Sequence, residues 1–106
     1  MVTPYTNATF ASDVLASPRP VLVDFSATWC PPCRMLAPVI DRLAQDLTGS
    51  LAVGAVDVDR EPELATAYGI TALPTVVLFQ GGQPVGRLTG FHALPELKRF
   101  VQAHAA

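Results

Sequence analysis

Apolar residues recur along this chain in two rhythms. Over residues 21–25 they are almost continuous, Val-Leu-Val-Asp-Phe, which reads as a buried strand interrupted only by Asp24. Residues 51–58 and 75–79 repeat that signature and read as further strands. Over 32–47 the spacing changes: Leu36, Val39, Ile40, Leu43 and Leu47 fall on one helical stripe. Pro32 suits the first turn of that helix, where its missing N–H would have no partner anyway. Pro38 lies inside it and is expected to kink it. Residues 9–16 predict a short helix with Phe10, Val14 and Leu15 on one side, a Thr-Asn-Ala-Thr entry able to cap it, and Ser17-Pro18-Arg19-Pro20 to stop it. Residues 59–68 predict another, closed by Gly69. Gln80-Gly81-Gly82-Gln83 reads as a hairpin turn, and 84–89 as a returning strand that Pro84 assigns to an edge. A last helix covers 94–105, with Pro95 in its first turn and Leu94, Leu97 and Val101 facing inward. Residues 2–6 offer a fifth, edge strand, weakened by Pro4. This order predicts an α/β fold: a central mixed sheet of four or five strands flanked by helices on both faces.

Composition narrows the class. The 106 residues are 50% apolar, carry a net charge of −2 and hold two cysteines. That length predicts a single domain over 1–106, large enough to bury a core without disulfide staples. A mildly acidic chain with scattered arginines argues against nucleic acid as a partner, and Lys98-Arg99 reads as a solvated helix face. The N-terminus has neither a basic nor an apolar leader segment, so no signal peptide is expected. Residues 64–86 carry no charge, but Gly69, Pro74, Gly81, Gly82 and Pro84 interrupt them, which argues against a membrane span.

The chemistry concentrates in Trp29-Cys30-Pro31-Pro32-Cys33-Arg34. A Cys-x-x-Cys between a strand and a helix start favours a redox dithiol. Cys30 precedes the helix, where free N–H groups and the positive end of the dipole stabilise a thiolate. Cys33, one turn in, is placed to attack a mixed disulfide formed by Cys30. Other uses fit less well. Zinc needs about four ligands, and His92 and His104 have the wrong spacing, so no metal site is expected. A c-type haem needs histidine directly after the second cysteine, where Arg34 stands. A structural disulfide closing so short a loop would restrict little chain entropy. The two histidines read as surface or helix-end residues.

Asp24 is the second unusual residue. Alternation sets it on the opposite face from Val23 and Phe25. If both faces are covered, its carboxylate is costly and its pKa is raised, and it is placed to exchange a proton during thiol chemistry. Pro74, just before a strand, by itself marks only a turn.

Together these segments resemble the thioredoxin family. The resemblance is carried by residues 21–34, by Tyr68-Gly69-Ile70 through Leu73-Pro74-Thr75, by Phe79-Gln80-Gly81-Gly82, and by Gly90. It implies the thioredoxin fold and a protein disulfide oxidoreductase with Cys30 as nucleophile and Cys33 as resolving thiol. It implies Asp24 as the buried proton-transfer carboxylate and Pro74 as a cis-proline. Trp29, Pro31, Pro32, Leu73, Pro74 and Gly90 would line the substrate groove. It implies no bound cofactor, with NADPH used indirectly through thioredoxin reductase. Disulfide-containing proteins would be the substrates of a cytoplasmic monomer, with no membrane partner. A more oxidising dithiol oxidase or isomerase, and a redox-inert binding module of the same fold, are the alternatives.

Three departures bear on this. Pro31 replaces the family's usual glycine and removes one N–H near the cysteines. Ala55 stands where many bacterial relatives carry a lysine beside the buried Asp, so Asp24 is expected to have less cationic support and a higher pKa. Ser26 stands where many have a second tryptophan, which is expected to reshape the rim of the site.

Overall fold

The computed structural model describes residues 2–105. Five strands form one sheet: β1 (Thr3–Pro4), β2 (Val21–Ser26), β3 (Ala52–Asp57), β4 (Thr75–Gln80) and β5 (Gln83–Thr89). Their spatial order is β1-β3-β2-β4-β5. β1 and β2 run parallel to β3, and β4 runs antiparallel to both β2 and β5. The apolar runs therefore occupy the three central positions, where a strand is covered on both faces. Pro84 lies on the edge strand, as its missing N–H requires. The weak edge candidate near Pro4 does form, as two residues opposite Gly54 and Ala55 of β3. A side chain at Gly54 would collide with the Tyr5 ring and the Thr3 carbonyl, so glycine is what lets β1 come in.

Helices α1 (Pro31–Asp46), α2 (Pro62–Ala67) and α3 (Leu94–His104) cover the sheet. Leu22, Val53, Val76 and Leu78 point to one face, where Leu36, Ile40 and Leu43 of α1 and Leu97, Phe100 and Val101 of α3 bury them. Val21, Val23, Phe25, Val77 and Phe79 point to the other, against Tyr5, Phe10, Val14 and Leu64. Asp24 shares the α1/α3 face with Leu22 by the two-residue period of the strand. α1 runs unbroken through Pro38, which is exposed.

Four local expectations are corrected. The first helix is a short π-helical turn, Ala11–Leu15, closed by Ala16 N–H donating to the Ala11 carbonyl at 2.9 Å. The widened turn keeps Phe10 and Val14 buried but leaves Leu15 36% exposed. Its entry threonines do not cap it: the Thr6 amide donates to Thr9 Oγ1 at 3.0 Å instead. Leu94 is only half-buried, and Phe100 takes the inward place it was expected to fill. Lys98 is not merely solvated: its Nζ meets Asp46 Oδ2 at 2.8 Å and ties α3 to the end of α1.

Candidate active site

β2 ends at Ser26, and residues 27–29 carry the chain from the C-terminal end of this central strand toward α1. Cys30 is the residue that caps this helix. Its backbone is extended (φ −89°, ψ 113°), and its Sγ accepts the Cys33 N–H at 3.3 Å. This is the N-cap arrangement with sulfur in place of a side-chain oxygen. Pro31 and Pro32 have no N–H, so Cys33 supplies the first main-chain donor after Cys30, and that donor goes to the sulfur. Both cysteines are free thiols and both are buried, at 4% exposure each. They form a small apolar cluster with Ala27, on which Val58 and Leu73 pack. Exposure therefore does not separate the two sulfurs; their positions relative to the helix do.

Burial pushes the Cys33 thiol up, and the hydrogen bond with Cys30 adds to the rise, while a backbone contact at Ala27 opposes it. Negative charge on Cys30 or on Asp24 would raise it further, which places Asp24 within electrostatic reach of Cys33. Asp24 itself is 4% exposed, and its Oδ1 has no hydrogen-bond partner among the described residues. Burial raises its pKa from 3.8 to about 7. Its cross-strand neighbours are Ala55 on β3 and Val76 on β4, both without charge. Neither neighbour supplies a cation, so nothing across the strands opposes the rise that burial causes. Beside them a cleft of about 480 Å³ reaches Cys33 and Ala37 of α1, and Ser26 and Ala55 of the sheet, from outside.

The remaining predicted residues gather around the cysteines. The Leu73–Pro74 bond is cis. Leu73 is half-buried against the cysteine cluster, and the Pro74 carbonyl accepts the Gly90 N–H at 2.8 Å. Gly90 has φ +86°, a conformation that glycine adopts without strain. Pro31 and Pro32 are exposed. Trp29 is 63% exposed and is held by its edge: Nε1–H donates to Asp59 Oδ2 at 2.7 Å. Asp59 is fixed in turn by its own N–H, which donates to Asp57 Oδ1 at 3.0 Å. The sequence reading placed Asp59 only at a helix start and missed this role. No periodicity marks a pair thirty residues apart. Met35 on α1 is 60% exposed, and Phe91, next to Gly90, is 44% exposed. Among the described residues no cluster of three or more His, Cys, Asp or Glu side chains could hold a metal ion. Nor is any helix long and apolar enough to cross a membrane.

Comparison with known proteins agrees with this geometry. The family model described as Thioredoxin matches residues 1–103. Thioredoxin of Mycobacterium bovis is 51% identical over 85 residues, covering 80% of this chain and 73% of that protein. Thioredoxin 1 of Nostoc is 44% identical over 99 residues, 93% of this chain and 92% of its own. A bifunctional thioredoxin reductase/thioredoxin of Mycobacterium leprae is 52% identical over 85 residues, although the match spans only 19% of that longer protein. Given a match across nearly the whole sequence and relatives of this similarity, the chain belongs to the thioredoxin family.

Proposed function

We propose that this thioredoxin-like thiol–disulfide oxidoreductase works as a reductant of protein disulfides, with Cys30 attacking and Cys33 resolving. The observation that carries the order is the helix cap. The Cys30 sulfur accepts a main-chain N–H, which supports negative charge on it, whereas burial and the neighbouring sulfur keep the proton on Cys33. In the first step the Cys30 thiolate attacks one sulfur of the substrate disulfide and releases the other as a thiolate that takes up a proton. In the second, Cys33 loses its proton to Asp24 and attacks Cys30 Sγ. That breaks the mixed disulfide, releases the second substrate sulfur as a thiolate that takes up a proton, and leaves Cys30–Cys33 oxidised. Two electrons move to the substrate. A carboxyl with a pKa of about 7 suits this work, because it accepts and returns a proton near neutral pH.

The redox group is the cysteine pair itself, and substrates would lie across Trp29, Pro31, Pro32, Leu73, Pro74 and Gly90. A thioredoxin reductase drawing on NADPH would restore the dithiol. The fused reductase/thioredoxin of Mycobacterium leprae supports that partnership. We place the chain in the cytoplasm as a monomeric single domain. A strong oxidant needs a stabilised reduced form. With Pro31 and Pro32 donating nothing, one nearby amide supports the Cys30 sulfur, which favours the reducing direction. Reduction of insulin with dithiothreitol as electron source tests the reading. Wild-type protein should precipitate insulin and Cys30→Ser should not. A Cys30–Cys33 potential in the range of dedicated oxidants would instead favour an oxidase or isomerase.

A further inference from the structure

None of the steps above uses the cleft that borders Cys33. It lies where α1 meets the C-terminal ends of β2 and β3, and its volume of about 480 Å³ is within the range of small-molecule sites. Tyr5, Ala27, Ala37 and Ala55 give it an apolar lining. Four charged residues, Arg34, Asp57, Arg60 and Glu61, border it as well, and each is already engaged. Arg34 Nη1 donates to the Thr28 carbonyl at 3.1 Å, and Arg60 Nε lies 3.9 Å from Asp57 Oδ2. Asp57 Oδ1 accepts the Asp59 N–H at 3.0 Å, and Glu61 Oε1 accepts the Asn7 N–H at 2.9 Å.

The floor of the cleft is different. Ser26 and Ala55 line it, and Asp24 stands on the same face of the sheet, two residues before Ser26 and directly across from Ala55. At that register β3 offers only a methyl group. Asp24 is 4% exposed, and its Oδ1 has no hydrogen-bond partner among the described residues. A buried carboxyl oxygen in this position gains most from a donor that brings positive charge, and nothing from another acceptor. The cleft therefore joins an apolar passage to a single unanswered acceptor at its inner end.

We propose that the cleft is a binding site for a small primary ammonium on a short alkyl stem, the stem lying on Tyr5, Ala37 and Ala55 and the head donating to Asp24 past the Ala55 methyl. The site does not depend on the direction of the disulfide chemistry. Butylammonium titrated into the reduced full chain near pH 8, where the Asp24 carboxyl is ionised, tests it by nuclear magnetic resonance. Signals of the cleft-lining residues and of the Asp24 carboxyl should move together and saturate in the roughly millimolar range, as expected for a ligand of so few atoms. Butan-1-ol keeps the stem without the charge and should bind about tenfold more weakly, the order of a hydrogen bond between charged groups. Butyrate should not bind. Asp24→Asn should weaken butylammonium by a factor similar to that for the alcohol. Ala55→Lys carries its own ammonium into the cleft and should abolish binding, with the same spectra reporting that the variant is folded. Equal binding of butylammonium to wild type and Asp24→Asn would overturn the proposal, as would equal binding of butan-1-ol. Tighter binding of butyrate would also overturn it, since Arg34 and Arg60 would then select the ligand. So would the absence of any saturable shift at the cleft.

Discussion

Replacing Asp24 by asparagine should stabilise the protein by an amount that depends on pH in a specified way. In the fold its carboxyl titrates at about 7 instead of 3.8, because burial disfavours the charge. Below pH 3.8 both folded and unfolded chains hold the proton, and the group contributes no penalty. Between about 4 and 7 the unfolded chain ionises while the folded one does not. Stability then falls by about 1.4 kcal/mol per pH unit, the reverse of the usual paired carboxylate. Above about 7 both forms are ionised and the penalty levels off. At 1.36 kcal/mol per unit of pKa the full difference is about 4 kcal/mol, a large fraction of the stability of a small domain. Asp24 has no cation opposite it to offset this, since Ala55 and Val76 face it across the strands.

Urea unfolding of wild type and Asp24→Asn, both reduced, at intervals from pH 3.5 to 8, measures the quantity directly. Asparagine retains the shape and a polar atom, and its own burial cost does not change with pH. Other titrating groups cancel in the difference. The difference should open from near its minimum at pH 3.5 and reach a plateau between pH 7 and 8. A flat difference across the range, or a Asp24 carboxyl resonance that titrates near 4, would refute the argument. The same variant supplies a kinetic check. On the proposed proton transfer to Asp24, release from the mixed disulfide should slow by roughly a hundredfold, the low end for a positioned acid–base group. Formation of the mixed disulfide by Cys30 should change little.

Three further outcomes follow from the same contacts. Ala55→Lys has room in the cleft bordering Ala55 and would set an ammonium opposite Asp24; the carboxyl should titrate lower and the pH-dependent penalty shrink, read by the same unfolding series. Trp29→Phe removes the indole N–H from Asp59 while keeping an aromatic ring. It should cost less than about 1 kcal/mol in stability, because the contact is exposed, and should weaken binding of a protein disulfide more than it slows a small one. Gly54→Ala drives a methyl group into Tyr5 and the Thr3 carbonyl; thermal unfolding should show a loss of about 1–3 kcal/mol, with hydrogen-exchange protection lost first from the Tyr5 amide, which donates to Ala55.

Where the sequence was readable, and where it was not, follows from how far apart the interacting residues lie. The central strands were readable because burial on both faces writes itself into consecutive residues, as in Val21–Ser26 and Thr75–Gln80. The dithiol was readable because a cap and its first amide donor are three residues apart. Asp24 was readable because it violates a local pattern, and its raised pKa follows from that violation once both faces are covered. The π-helical turn was not, since the difference between four- and five-residue hydrogen bonding at Ala11–Leu15 turns on how Phe10 and Val14 dock between Tyr5 and Phe79. Asp59 was not readable for a related reason. It is an ordinary polar residue, and what gives it a task is the neighbour that folding delivers, an indole from thirty residues earlier. The cysteine pair therefore declares itself by type and spacing, whereas a residue that holds a neighbouring side chain in place declares itself only by distance.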